Sequence, residues 1–401
     1  MTTTIDNEQK TLNVPNLRFP EFQGEWEKKR LGDFTERVKR KNKYNLSKLP
    51  LTISAKYGLV DQITFFNKIV ASTDMSNYYL LKKGEFAYNK SYSNDYPWGA
   101  IKRLDNYEQG VLSALYICFT TQDNVESDFI LQYFESPKWH KSVSEIAVEG
   151  ARNHGLLNIS VQDFFQTYHY VPKEKKEQTK IATLLHLIDE RISTQNKIIE
   201  DLKKLKSAII EIEYSSRTKT SSHIGDFIVQ TSKRNKDNAI QTILSISNRQ
   251  GFIQQSEQFE NRSVASDDTS NYKIVERNSF AFNPARINVG SIARLATFDR
   301  GIVSPMYICF RTKDNLFPEY LDYYFESKQF FTEIQKRLEG SVRQCLSFEG
   351  LCNIPLSIPT IEVQQQTGKR LSTLAQEIKL EIDFLELLQK QKKFLLHQMF
   401  I

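Results

Sequence analysis

Cysteine is scarce in this 401-residue chain: there are four, none in CxxC spacing. Cys118 and Cys309 sit in strand-like Tyr-Ile-Cys-Phe runs, and Cys345 and Cys352 lack CxxC spacing. This favours reduced, buried thiols over a disulfide or zinc site. Long apolar runs are missing too. No stretch approaches the roughly 20 residues that span a bilayer, and the polar opening, Met1 to Lys10, lacks the apolar centre of a signal peptide. The sequence therefore reads as cytoplasmic, with no membrane partner. A strong excess of one charge is also lacking. A formal charge of +6 and a pI near 8.8 are mildly basic, so any case for nucleic acid rests on local clusters.

Catalytic signatures are equally hard to find. No GxxxxGK[ST] phosphate loop occurs, and Gly368-Lys-Arg370 lacks the partner glycine, which excludes the common ATPase. A base methyltransferase would need a Gly-rich cofactor loop and an Asn-Pro-Pro-aromatic motif. The nearest match, Asn283-Pro-Ala-Arg286, departs at its last two positions, and its counterpart in the other half is Asn89-Lys-Ser-Tyr92. The histidines (His140, His154, His169, His186, His223, His397) show no HExxH or other ligand spacing, and no GxSxG elbow is present. Asp267-Asp268 reads as a turn rather than a metal site, because its counterpart, Thr73-Asp74, keeps one carboxylate.

What the chain does have is a long internal repeat. Leu31-Gly-Asp-Phe34 recurs as Ile224-Gly-Asp-Phe227, and Ile53-Ser54 with Gly58 recurs as Ile246-Ser247 with Gly251. Ala71 to Tyr78 matches Ala265 to Tyr272, and Phe86-Ala-Tyr-Asn89 matches Phe280-Ala-Phe-Asn283. Gly99 to Leu104 then aligns with Gly290 to Leu295, Gly110 to Phe119 with Gly301 to Phe310, Tyr133-Phe-Glu-Ser136 with Tyr324-Phe-Glu-Ser327, and Glu149-Gly150 with Glu339-Gly340. A period of roughly 190 residues is far longer than the 20 to 50 of a solenoid unit, so it marks a duplicated domain. The matched segments are Gly-punctuated runs of Tyr, Phe, Val and Ile, which read as short strands and turns; Phe129 to Phe134 and Tyr320 to Phe325 read as helical.

Each half closes on a long helical pattern. After Val171-Pro172, a stretch free of Pro and Gly repeats apolar residues at steps of three and four: Ile181, Leu184, Ile188, Ile198, Leu202, Leu205, Ile209 and Ile212, interrupted by Arg191 and Gln195. After Ile358-Pro359 the stripe is Leu371, Leu374, Ile378, Leu385, Leu388, Leu395 and Met399, interrupted by Glu381 and Lys392. Such patterns predict coiled-coil helices, the first spanning on the order of 50 Å, and their similar length favours antiparallel pairing over packing of each helix on its own domain. The expected organisation is a segment 1–24, a domain 25–173, a helix 174–213, a Ser/Thr-rich linker 214–222, a second domain 223–359 and a helix 360–401. The fold class is α+β: two tandem mixed α/β domains separated by two long helices in an antiparallel coiled coil.

Basic and amide side chains gather in loops that differ between the copies. In the first copy these are Lys39, Arg40, Lys41 and Lys43; Lys56 and Tyr57; Asn89, Lys90 and Tyr92 with Trp98; and Arg152, Asn153 and His154. In the second they are Lys233, Arg234 and Lys236; Asn248, Arg249 and Gln250; Asn283 and Arg286; and Arg343 and Gln344. Arg, Asn and Gln can make paired hydrogen bonds to base edges while Lys neutralises phosphate, so the mixture suits two domains reading different DNA sequences. The competing reading is a solvated surface.

The chain resembles the specificity subunit of type I restriction-modification enzymes. The resemblance rests on the opening Leu17-Arg-Phe-Pro-Glu-Phe-Gln-Gly-Glu-Trp26 with Leu31-Gly-Asp-Phe34, on the duplicated Gly-x-x-Ser-x-x-Tyr-x-x-Phe segments, and on the paired heptad helices. It departs from a strict two-fold pattern where nothing before Ile224 matches the opening segment. The resemblance implies two target recognition domains, each reading half of a bipartite double-stranded DNA site, with the helices setting the gap. It also implies two docked methyltransferase subunits and further motor-nuclease subunits; those partners would use S-adenosylmethionine, ATP and Mg2+, and this chain would bind no cofactor and catalyse nothing. A coiled-coil adaptor and a stand-alone nuclease are the alternatives.

Overall fold

The computed structural model describes residues 12–54, 57–68, 71–93, 96–147, 155–215, 221–248, 250–258, 268–340 and 344–401. Two compact units divide the chain, residues 1–194 with 384–401 and residues 195–383.

The first unit opens with β1 (Glu27–Arg30), β2 (Thr35–Arg37), β3 (Leu51–Ser54), β4 (Gly58–Asp61) and α1 (Gln62–Phe66). It continues through β5 (Tyr79–Lys82), β6 (Phe86–Asn89), β7 (Ala100–Arg103), β8 (Gln109–Leu112) and β9 (Ile117–Thr121). Then come α2 (Ser127–Glu135), α3 (His140–Ser144), α4 (Val161–Gln166), β10 (Tyr168–Val171) and the long α5 (Lys175–Tyr214). The second unit adds α6 (Ile224–Phe227), β11 (Ile228–Thr231), β12 (Leu244–Ser247), β13 (Gly251–Gln254), α7 (Gln255–Gln258), β14 (Lys273–Glu276) and β15 (Phe280–Phe282). It ends with β16 (Ile292–Arg294), β17 (Arg300–Val303), β18 (Ile308–Thr312), α8 (Pro318–Tyr324), α9 (Lys328–Gln335) and α10 (Phe348–Cys352); the long α11 (Ile361–Gln398) starts in this unit and ends in the first, as α5 starts in the first and ends in the second.

The duplication is structural. A four-stranded antiparallel sheet has the order β2-β9-β6-β7 in one unit and β11-β18-β15-β16 in the other, each beside two hairpin-like pairs, β3-β4 with β5-β8 and β12-β13 with β14-β17. The four-residue β1-β10 ribbon is reduced in the second unit to an antiparallel bridge between His223 and Pro355, flanked by hydrogen bonds from Ile224 to the Ile354 carbonyl at 2.9 Å and from Leu356 to the Ser222 carbonyl at 3.0 Å.

The repeated motifs mark points where backbone or side chains meet. In Leu31-Gly-Asp-Phe34 the outer residues are buried, and Asp33 accepts from the backbone N–H of Arg30 at 2.8 Å, as Asp226 does from His223 at 2.7 Å. A Cβ on Gly225 would lie 2.8 Å from that of Cys352, so the glycine admits α10. In the Gly-x-x-Ser-x-x-Tyr-x-x-Phe segments, a Cβ on Gly110 or Gly301 would meet Leu51 or Leu244 at 2.4 Å. The tyrosine hydroxyl bonds to the first strand of the hairpin, Tyr116 to Thr52 at 3.3 Å and Tyr307 to Ser245 at 3.2 Å. The closing phenylalanine stacks in the core, Phe119 on Phe86 at 5.2 Å and Phe310 on Phe280 at 5.1 Å. These motifs build the frame and leave the loops free to differ.

The ends of the long helices complete both cores. Ile181, Ala182 and Leu185 of α5 join Leu396, Met399 and Phe400 in the first core, and Ile210 and Tyr214 join Leu371 in the second. Within the first unit Lys392 pairs with Asp189 at 2.5 Å and Arg191 covers the Phe384 ring at 5.3 Å. Within the second, Gln195 donates to the Glu381 carbonyl at 3.1 Å and Glu213 accepts from Thr367 at 3.2 Å. Rising numbers on α5 meet falling numbers on α11, so the helices are antiparallel in both units.

The seam of α11 follows the expected stripe. That of α5 differs: the residues turned inward are Ile181, Leu185, Ile188, Ile192, Gln195, Ile199, Leu202, Lys206 and Ile209. Gln195 is buried within the seam rather than interrupting it, whereas Leu205 and Ile212 are 50% and 61% exposed. Two apolar rows share this helix, and apolar spacing alone merges them. The packing predicts that Ile199→Gln costs about 2–5 kcal/mol, while Leu205→Gln stays within about 0.5 kcal/mol in urea titrations. Equal losses would show that both rows are buried.

The first core also encloses a histidine. His169 Nδ1 lies 2.8 Å from the Tyr133 hydroxyl and Nε2 lies 2.8 Å from Thr167 Oγ1. Thr167 gives its one proton to the Phe164 carbonyl at 2.7 Å, so Nε2 carries the ring proton and Nδ1 accepts from Tyr133. Burial pulls the His169 pKa down to about 3. The folded chain refuses a proton that the unfolded chain takes up below about pH 6.5, so stability falls with pH from there toward 3, by on the order of 2 kcal/mol at pH 5. Aligning Val171-Pro172 with Ile358-Pro359 sets Leu356 against His169. His169→Leu is expected to lower stability at pH 7.5, since Tyr133 loses its acceptor, and to flatten the loss between pH 7.5 and 5; an unchanged pH slope would count against this account.

Candidate nucleic-acid interface

The first basic group of each copy hangs on a buried asparagine. Asn42 clasps both the N–H and the carbonyl of Ser47 at 2.9 Å, and Asn235 does the same to Ile240 at 3.1 and 2.9 Å. Their own N–H groups donate to Tyr78 and Tyr272 at 3.0 Å. Around this clasp the cations divide into two kinds. Arg40 is committed to Glu85 (2.9 and 3.1 Å) and to the Leu80 carbonyl (3.0 Å), and the Glu85 hydrogen bond raises its pKa. Lys41 donates to the Asn77 carbonyl at 2.8 Å and sits 3.8 Å over the Tyr79 ring. Lys39 and Lys43 are exposed. In the other copy Arg234 donates to Asn271 at 2.8 Å, and Lys233 and Lys236 are exposed.

The second group occupies the hairpin tips, where three residues join β3 to β4 and β12 to β13 and the chain turns on a left-handed glycine, Gly58 (φ +76) or Gly251 (φ +67). Tyr57, Asn248 and Gln250 are exposed there. Lys56 and Arg249 lie outside the described residues.

In both copies the loop that carries the third group meets a described segment that follows the fourth group in sequence. Leu157 donates to the Lys90 carbonyl at 2.9 Å and Leu346 to the Pro284 carbonyl at 3.0 Å, which seats the segment after each fourth group against the β6-β7 or β15-β16 loop. Within the loops, Asn89 accepts from the Ser91 N–H at 3.0 Å and Asn283 from the Ala285 N–H at 3.1 Å, so both amides shape turns. Asn283 is buried and Trp98 packs against the first core, which favours structural roles for both. Lys90 donates to the Ile159 carbonyl at 3.2 Å. Tyr92, Arg286 and Gln344 are exposed. Arg152, Asn153, His154 and Arg343 lie outside the described residues.

Position along the sequence does not separate committed from displayed cations; Arg40 and Lys39 are neighbours with opposite fates. One displayed residue carried no charge signal at all. Tyr44 is 92% exposed and left-handed at φ 60, ψ 19, a conformation costing a side-chain-bearing residue roughly 1 kcal/mol or more.

Burial pushes the Cys118 and Cys309 thiols up to about 12 and 11. Asp74 and Asp268 cap the Ser76 and Ser270 N–H groups at 2.9 and 2.8 Å, as turn residues do. Among the described residues no three His, Cys, Asp or Glu side chains gather to hold a metal, and no helix is long and apolar enough to cross a membrane. A recess of about 1100 Å3 in the first unit is lined by Phe134, Trp139, His140, Lys390, Phe394 and His397 among others, and is mostly apolar.

Residues 225–389 match the family of the type I restriction modification DNA specificity domain. In fold, the chain is similar to the type I restriction-modification system S subunit from M. genitalium, with a TM-score of 0.58 at 16% identity over 97% of this chain and 99% of that one. It is also similar to a chain from work on complex assembly and conformational transition of the type I R-M system, with a TM-score of 0.53 at 14% identity over 92% and 96%. No curated protein sequence matches it. Residues 225–389 are therefore of the class of DNA specificity domains of type I restriction-modification systems. By sequence that match is confined to residues 225–389, and over nearly its whole length the chain shares the fold of a type I S subunit.

Proposed function

We propose that each domain reads one half of a bipartite double-stranded DNA target and that the paired long helices set the gap between the halves. On this reading the recognition domains are 25–173 and 223–359, joined by the helix 174–213 and the linker 214–222 and flanked by the segment 1–24 and the helix 360–401. Two methyltransferase subunits dock on the helices, and motor-nuclease subunits join them. This chain binds no cofactor; its partners bring S-adenosylmethionine for adenine methylation and ATP with Mg2+ for translocation and cleavage.

The observation that carries this reading is the contrast between a shared frame and unlike loops. The same Gly, Tyr and Phe contacts hold both domains, yet Tyr57 faces solvent in one hairpin tip and Asn248 and Gln250 in the other. Two identical readers would need no such difference. Docking is supported by apolar residues left outside the seam: Leu187, Ile198, Leu205 and Ile212 on α5, and Leu380, Leu387 and Phe394 at intervals of seven on α11. Each such side chain gains about 1.5–3 kcal/mol when a partner covers it, and seven-residue spacing suits a partner helix.

The purified chain alone is expected to leave DNA unmodified and uncut, and adenine methylation at a bipartite site is expected once a methyltransferase subunit is added. Methylation or metal-dependent cleavage by the chain alone contradicts the reading. Leu387→Glu with Phe394→Glu should abolish co-purification of the methyltransferase while leaving the melting temperature within about 2 °C; full retention of the partner would place docking elsewhere.

A further inference from the structure

We infer that Tyr44 is a DNA-backbone contact of the first domain, its phenol donating to a phosphate oxygen, and that the second domain has no such contact. This rests on the recognition reading above. The turn carrying Tyr44 is the same in both domains except at its tip. Asn45 donates to the Asn42 carbonyl at 3.0 Å and Asn238 to the Asn235 carbonyl at 2.9 Å, each closing a four-residue turn over the buried asparagine clasp. Asn45 and Asn238 share a left-handed conformation, φ 51 and φ 50. The third residue of the turn is Tyr44 in one copy and Asp237 in the other.

At that position Tyr44 is also left-handed, φ 60, whereas Asp237 is not among the positive-φ residues. A left-handed third residue makes the turn one that favours glycine. An aromatic ring there is costly locally and gains little from packing, because 92% of Tyr44 faces solvent and neither its ring nor its hydroxyl has a partner among the described residues. The clasp beneath, through Asn42, Ser47 and Met75, holds the turn regardless. A strained, exposed side chain held by a rigid base is what preorganised contact requires.

Charge decides the ligand. Lys43, the chain neighbour of Tyr44, is exposed, as are Lys39, Arg40 and Lys48 on the same stretch, and tyrosine hydroxyls are among the ordinary donors to DNA phosphates. Asp237 at the equivalent tip would repel a phosphate, so the second domain meets the backbone through Lys233 and Lys236 without a tip contact. A backbone contact adds affinity without sequence information. Its loss should therefore weaken cognate and scrambled duplexes alike.

The test uses the chain assembled with its methyltransferase subunit and a duplex carrying the methylation site mapped for the wild-type complex. Tyr44→Gly is expected to weaken binding about tenfold on this duplex and, by the same factor, on one with the first half-site scrambled. It should not lower the melting temperature, because glycine relieves the left-handed strain. Tyr44→Phe, which keeps the ring, should lose most of the same affinity. Unchanged binding by Tyr44→Gly, or a loss confined to the cognate duplex, overturns the inference. A fall in melting temperature would do so too, by marking a structural role. Failure of the wild-type complex to prefer its mapped site would instead sink the recognition reading, so the two failures are distinguishable.

Discussion

A glutamine in the first turn of each long helix ties that helix to its domain, and much of the architecture depends on this tie. Gln178 accepts from the Glu126 N–H at 2.8 Å and donates to the Pro172 carbonyl at 2.8 Å. Gln364 accepts from the Phe317 N–H at 2.8 Å and donates to the Pro359 carbonyl at 2.9 Å. An amide side chain can donate and accept at once, so one residue fixes the helix start against both the chain leading into it and the N-terminus of the neighbouring α2 or α8. Both glutamines are buried. With the helix starts set, Ile181 and Leu185 enter one core and Leu371 the other, and the antiparallel partner brings Phe400 and Tyr214 to close them.

This closing of each core by two helix ends explains where the domains are alike and where they are not. Tyr214 donates to the Tyr320 carbonyl at 2.6 Å, while Phe400 packs at 5.7 Å from Tyr133, the residue that serves His169. The first domain adds Trp26, whose indole donates to Glu177 at 3.1 Å beside the Arg18 ion pair at 2.7 Å. The opening segment is thereby pinned to α5.

Much of the frame was legible in the sequence because duplication prints it twice. Gly110 and Gly301, Tyr116 and Tyr307, and Phe119 and Phe310 recur at matched spacing, and each pair makes the same contact in its own unit. The α5 register was harder to read, since Ile198, Leu205 and Ile212 form an apolar row as regular as the buried one. Only packing distinguishes a seam from a surface awaiting a partner. The glutamine ties were missed because a single polar residue in a charged helix has no periodic signature. The candidate interface was legible as loops but not as side chains: Arg40 turns inward to Glu85, Asn283 is consumed by its own turn, and uncharged Tyr44 stands out in solvent.

One shared frame carrying two separate readers is the central claim, and it is tested most directly by exchanging loops. Replacing the first domain's hairpin tip and β6-β7 loop with those of the second, in the assembled methyltransferase complex, and then mapping methylated adenines by sequencing, reads both half-sites at once. One half of the site should change, with the other half and the gap preserved. A change in both halves, or in the gap, would contradict it.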